Sequence, residues 1–153
     1  MGIEIIKVTA GLFEEKFEEF ILLRNYISSF HSQSDSINEF NRRKMEELVS
    51  YLEQQKAYVY GAFDIDKLVG FIWGYQREFF YEKRMFINSL VVAKDYSKMG
   101  LGRKLIDTLK DFANNELSCE AIDVTVFPGN QNAMGFYEHL GFKPERIQMR
   151  VGI

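Results

Sequence analysis

At 153 residues the chain is long enough for one domain, residues 1–153, with a substantial core. A formal net charge of −3 argues against a general nucleic-acid binder or a membrane-surface protein. The lone cysteine, Cys119, excludes an internal disulfide framework and fits a reducing compartment. The N-terminus shows no basic segment leading into an apolar run, and no stretch approaches the roughly 20 apolar residues of a membrane span. The expectation is a cytoplasmic protein.

Residues 3–8 are rich in isoleucine and valine and predict a short strand. Residues 12–30 predict a helix, with Phe13, Phe17, Phe20, Ile21 and Ile27 on one face. Glu14, Glu15, Glu18 and Glu19 lie opposite and read as a solvated face near the helix N-terminus. The serine-rich residues 28–36 predict a loop. Ser36 and Glu39 then have capping-box spacing for a second helix, ending near Gln54, whose buried side carries Phe40, Met45, Leu48 and Leu52. On its outer side, Arg42 with Glu46 and Arg43 with Glu47 have i,i+4 spacing.

Residues 57–63 and 68–76 predict an antiparallel hairpin around the turn at 64–67. Residues 77–84, charged and aromatic, read as a connection. Residues 85–92 predict the next strand. A helix to about Leu117 follows, with Leu101, Leu105, Leu109 and Phe112 on its apolar face. Residues 121–127 predict a strand stopped by Pro128 and Gly129. Asn130 reads as the cap of a helix to about Leu140, with Gly141 as its stop. Residues 142–152 predict a last strand, bent near Pro144. The order, β α α β β β α β α β, implies a mixed, mostly antiparallel sheet of about six to seven strands flanked by about four helices, an α/β fold.

Two stretches carry chemistry. In the first, an apolar strand ending Leu90-Val91-Val92 leads through Tyr96, Ser97, Lys98 and Met99 to Gly100-Leu101-Gly102 and the start of a helix. Glycines at a helix N-terminus let a ligand approach free backbone N–H groups, and the helix dipole favours an anion there. Lys98, Arg103 and Lys104 add positive charge. On its own the pattern reads equally as a tight strand-to-helix turn. In the second stretch, Asn130, Ala133, Phe136, Tyr137, Gly141 and Phe142 are spaced as N-x-x-A-x-x-F-Y-x-x-x-G-F.

Together the two stretches resemble the GNAT superfamily of acyl-CoA-dependent N-acetyltransferases. Its first motif matches at Leu90, Val92, Tyr96, Gly100 and Gly102, and its second at the six residues just named. The two motifs cover roughly the last third of the chain; the rest matches in the order of its elements. The resemblance implies acetyl-CoA as cosubstrate, without a metal, and direct transfer in a ternary complex to a primary amine on a small molecule or a protein. It implies that Lys98, Met99, Gly100, Leu101, Gly102 and Arg103 hold the pyrophosphate. Leu90, Val91 and Val92 would offer a strand edge to the pantetheine amides and the thioester carbonyl. Asn130 would orient the site, and Tyr137 would be the acid that protonates the leaving thiolate. From their local context alone, Asn130 is a helix cap and Tyr137 a helix tyrosine packed beside Phe136.

Two positions depart from the family pattern. Ser97 stands where it has Arg or Gln, which removes one group beside the pyrophosphate and leaves Lys98 as the neighbouring cation. Thr125 stands five residues before Asn130, where the branch acting on protein N-termini often has a glutamate base. Glu78 and Glu82 are the remaining carboxylate candidates near an acceptor groove, and His31 and His139 read as surface residues. Phe79, Phe80 and Tyr81, with Trp73, Tyr75 and Tyr26, are candidates for acceptor-pocket walls or for packing. Cys119 reads as a small packed residue rather than a nucleophile, and no metal-ligand spacing appears. The rival reading is a non-catalytic acyl-CoA-binding or regulatory module; a third is a domain binding another nucleotide at the Gly-x-Gly turn. Neither nucleic acid nor membrane is expected as a partner; a homodimer is allowed by the sequence.

Overall fold

The computed structural model describes residues 2–28 and 35–153. Five strands form one sheet in the order β1-β2-β3-β4-β5: β1 (Ile3–Lys7), β2 (Tyr58–Asp64), β3 (Lys67–Phe79), β4 (Glu82–Val92) and β5 (Ala121–Val124). The first four pair antiparallel, and β5 joins β4 in parallel. The helices are α1 (Ala10–Glu15), α2 (Phe17–Ser28), α3 (Asp35–Glu53), α4 (Leu101–Leu117) and α5 (Gln131–His139). This is the mixed α/β architecture expected, with five strands in place of six to seven.

Both faces of the sheet are covered, and strand alternation decides what each face holds. Val59, Phe63, Leu68, Phe71 and Trp73 point to one side, where they bury Phe13, Phe20 and Ile21 of α1 and α2 and Met45 and Leu48 of α3. Tyr60, Ala62, Val69 and Ile72 point to the other, against Leu101, Leu105, Ile106 and Leu109 of α4. α5 lies on this second face, with Tyr137 and Leu140 packed against that core.

Four sequence expectations change. The helix over 12–30 is two helices. Thr9 caps α1, its hydroxyl accepting from the Leu12 N–H at 3.1 Å, and the helix breaks at Lys16, whose ammonium is held by the Asp66 carbonyl at 2.7 Å. The connection over 77–84 is the end of a long hairpin: β3 and β4 stay paired out to Phe79 and Glu82, turning on Phe80 and Tyr81. The Arg42 side chain ignores Glu46 on its own helix and forks onto Glu18 of α2, with both bonds at 3.0 Å. No strand forms over 142–152; beyond Phe142 the chain is exposed and outside the sheet. Ile147, Met149, Val151 and Ile153 alternate as a strand would, but a strand needs a paired neighbour, and Pro144 lacks one donor. Two side chains fix the start of this segment: Glu145 forks onto Arg84, and Arg146 stacks on Phe79 with its guanidinium carbon 3.9 Å from the ring centre.

Candidate active site

β4 and β5 are in register over only four residues, Arg84 to Ile87 against Ala121 to Val124. β4 then continues to Val92 with β3 alone as its partner, so residues 88–92 have one open edge. A bulge between Trp73 and Gly74 makes Asn88 the extra residue just where the strands part. The strand expected over 121–127 therefore ends at Val124, and the chain through Thr125 and Val126 diverges from β4. Into the opening comes a cavity of about 1200 Å³, running from α2 and α3 on one face to α5 on the other. Typical single-ligand sites occupy about 300–1,000 Å³, so this cavity has room for two reactants side by side.

Leu90 and Val91 line the cavity from the open edge of β4. Val92 is on the same strand but faces the α4 core. Asn130 and Tyr137 line the cavity from the opposite wall. The Asn130 side chain caps α5, accepting from the Ala133 N–H at 3.1 Å. One helical turn further, the Tyr137 ring lies edge-on to Phe136 and Phe142, with centroids 5.1 and 5.3 Å away. Burial among these groups pushes the phenol up to about 12, so its hydroxyl stays protonated at neutral pH.

Lys98, Met99, Gly100, Leu101, Gly102 and Arg103 follow β4 directly but do not line this cavity. They form the turn into α4, whose first N–H groups have no helical acceptor. Gly100 is the residue before the helix, with φ +73°, and nothing lies within 4 Å of where its Cβ would be. Gly102 is in tight quarters: an added Cβ would meet Phe136 Cζ at 3.0 Å. The turn is thus packed against the helix that carries Tyr137. Met99, Arg103 and Lys98 are exposed, whereas the Leu101 side chain belongs to the core. Tyr96 is held by Asp64, its hydroxyl donating to the carboxylate at 2.6 Å.

Other candidates fall elsewhere. Glu82 accepts from Arg84 Nε at 2.6 Å, and neither it nor Glu78 borders the cavity. Trp73 and Tyr75 do line it, while Phe79, Phe80, Tyr81 and Tyr26 do not. Cys119 is buried, and burial pushes its thiol up, away from a nucleophilic thiolate. His31 lies outside the described residues. Among the described residues no cluster of His, Cys, Asp or Glu is arranged to hold a metal ion, and no helix is long and apolar enough to cross a membrane.

The sequence reading missed the α2/α3 end of the cavity, where Arg24, Asn41 and Lys44 stand. Arg24 Nε donates to Asn41 Oδ1 at 3.0 Å, and Arg24 Nη1 donates to Ser89 Oγ. A signal existed. Arg24 falls on the helical stripe of Phe17, Phe20 and Ile27, and Asn41 on that of Met45, Leu48 and Leu52. A polar residue in a buried stripe is more informative than an apolar one.

The description "Acetyltransferase (GNAT) family" belongs to a family model that matches residues 21–142. Solved structures share the fold at low identity. An aminoglycoside acetyltransferase from an uncultured soil metagenomic sample superposes with a TM-score of 0.77 at 22% identity, over 99% of this chain and 96% of that one. The tetramutant of the BH1408 protein from Bacillus halodurans gives a TM-score of 0.81 at 16% identity, covering 99% and 100%. The ribosomal-protein-alanine N-acetyltransferase of Brucella melitensis biovar Abortus 2308 gives 0.72 at 16% identity, covering 99% of each chain.

Proposed function

The chain belongs to the GNAT family of acetyltransferases, and we propose that it moves an acetyl group from acetyl-CoA directly to a primary amine while both are bound. The observation that carries this reading is the cavity between β4 and β5, with an open strand edge on one wall and a protonated, half-buried tyrosine on the other. The residues present fit the donor. The turn from Lys98 to Arg103 offers backbone N–H groups, an unobstructed Gly100 and two exposed cations to a pyrophosphate. The edge at Leu90 to Val92 offers main-chain groups to the amides of pantetheine, as an added strand would. The donor supplies the activated acyl carbon.

The acceptor nitrogen, neutral on attack, forms the new C–N bond as the C–S bond breaks. A β4 backbone N–H steadies the carbonyl oxygen while it carries charge. Tyr137 gives its hydroxyl proton to the departing sulfur and is restored by the proton the nitrogen sheds. The carboxylate bordering the cavity is Glu47, on the exposed side of α3 and 3.5 Å from Lys44. It is a poor candidate for a buried base, so solvent in the open cavity takes the proton of the arriving ammonium before attack.

Calorimetric titration with acetyl-CoA, with ATP and NAD as controls, tests the donor. Selective stoichiometric binding is expected, and its absence in folded protein would remove the enzyme reading. Turnover over an amine panel then separates an enzyme from a binding module. Tyr137→Phe should lower kcat by about 10²-fold with acetyl-CoA affinity retained, and unchanged kcat would take the acid role from Tyr137.

A further inference from the structure

We infer that the α2/α3 end of the cavity is a carboxylate subsite, so that the acceptor is a primary amine that also carries a carboxylate, recognised by Arg24 and Trp73. This rests on the acetyl transfer proposed above and names the substrate class of the same site.

Among the described residues, several cations drawn into the fold have acids beside them, and Arg24, half-buried, does not. Arg84 is met by Glu82, Asp123 and Glu145. Arg77 is met by Asp123, and Lys16 by Glu19 and Asp66. The guanidinium of Arg24 has only the neutral oxygens of Asn41 and Ser89, and among the described residues no carboxylate forms an ion pair with it. A charge partly withdrawn from water with no counter-charge is costly, and an arginine cannot escape by losing its proton. Burial pulls its pKa down, and no acid close by pushes it back.

A second unpaired group stands beside it. Trp73 is 4% exposed, and its indole Nε1 has no hydrogen-bond acceptor among the described residues. A buried indole N–H is normally bonded. The Arg24 guanidinium carbon is 5.7 Å from the centre of the Trp73 ring, and both residues line the cavity. A small anion held by Arg24 would lie beside the Trp73 ring, whose N–H is closed off from the cavity here and would reach it on a turn of the ring. Lys44 and Lys56 border the same cavity, and Glu47, the carboxylate there, is already beside Lys44. The field at this end is therefore positive. It suits an acid and opposes a polyamine such as an aminoglycoside. Tyr75 and Phe86 add apolar wall to the same cavity, for the body of the amine.

The test is acetyl transfer to matched pairs: phenylalanine, β-alanine and γ-aminobutyrate, each against its carboxamide, with rates corrected to the neutral amine. For at least one pair, kcat/KM should favour the carboxylate by roughly tenfold or more. Arg24→Met should bring that ratio near one, and Arg24→Lys should keep part of it. Transfer to the carboxamides as fast as to the acids in every pair would overturn the subsite and leave acetyl transfer standing. Should no amine be acetylated, the proposed reaction fails, and the subsite is judged by binding. Trp73 is the chain's single tryptophan, so its emission reports entry of an anion. Saturable change with the acids and not with the carboxamides, lost in Arg24→Met, supports the subsite. No change in the wild-type protein overturns it.

Discussion

Gly100 and Gly102 sit two residues apart and are glycine for different reasons. At Gly100 the backbone is left-handed, φ +73°, with free space around it. Gly100→Ala should cost only the backbone penalty, about 1 kcal/mol, read as a small fall in denaturant midpoint with an unchanged slope. At Gly102 the constraint is volume, because Phe136 Cζ would lie 3.0 Å from a new Cβ. Gly102→Ala should shift Phe136, and with it the adjacent Tyr137. The expected result is a lower kcat that Phe136→Leu partly restores in the double variant. Additive losses would mean that the two residues do not communicate. Tyr137 carries a prediction in pH. Its phenol is held up near 12 against an ordinary value of 10.0, so its neutral form persists through the range in which an amine loses its proton. The rate should rise with pH and show no descending limb below 10.0. A limb below that value would place the titrating acid elsewhere.

The hairpin of β3 and β4 shows what local patterns miss. Residues 77–84 read as a connection because Arg77, Glu78, Glu82 and Lys83 interrupt the apolar alternation. What keeps them paired is a set of distant partners. Asp123 of β5 accepts from Arg77 at 3.1 Å and from Arg84 at 3.3 Å, and Arg146 stacks on Phe79. The turn residues, Phe80 and Tyr81, both have positive φ, at 51° and 65°. Such two-residue turns favour Asn and Gly, so the sequence carried no turn signal there. Tyr81 is fully exposed, and Tyr81→Gly should therefore stabilise the protein by about 0.5–1 kcal/mol in chemical denaturation. A loss of stability would show that the tyrosine is held by something else. The expectation over 142–152 failed the other way: its alternation is real, but a strand exists only with a partner. The helices were legible where a cap or an apolar stripe marked them, as at Asn130 and the face of α4. The break at Lys16 depends on Asp66, fifty residues away, and no window of sequence contains both.

At the scale of the molecule, the site has a motif half and a half without motifs. The proposed cofactor side is built from groups that are consecutive in the chain: a strand, a glycine turn, a capped helix. The proposed acceptor side is assembled from α2, α3, β3 and β4, and its residues meet only in three dimensions. What holds the opening in place lies at the other end of the short β4–β5 pair. There Arg84, 8% exposed, joins Glu82 of its own strand, Asp123 of β5 and Glu145 of the terminal segment. Four residues of pairing are too few to fix β5 alone, so this cluster anchors the strands where they meet, and they part beyond it. Arg84→Met leaves Asp123 with Arg77 alone and should lower the melting temperature by several degrees, because the acids lose their shared cation. Glu145 also links the cluster to acidity. Its hydrogen bonds from Arg84 hold the carboxyl below its ordinary value of 4.5. The folded state therefore binds this proton more weakly than the unfolded chain does. The resulting stability is present above 4.5 and is lost as pH falls through the lower, folded value. Melting followed from pH 7 downward should show a steeper acid loss in the wild-type protein than in Glu145→Gln. Parallel curves would mean that Glu82 and Asp123 hold Arg84 without it.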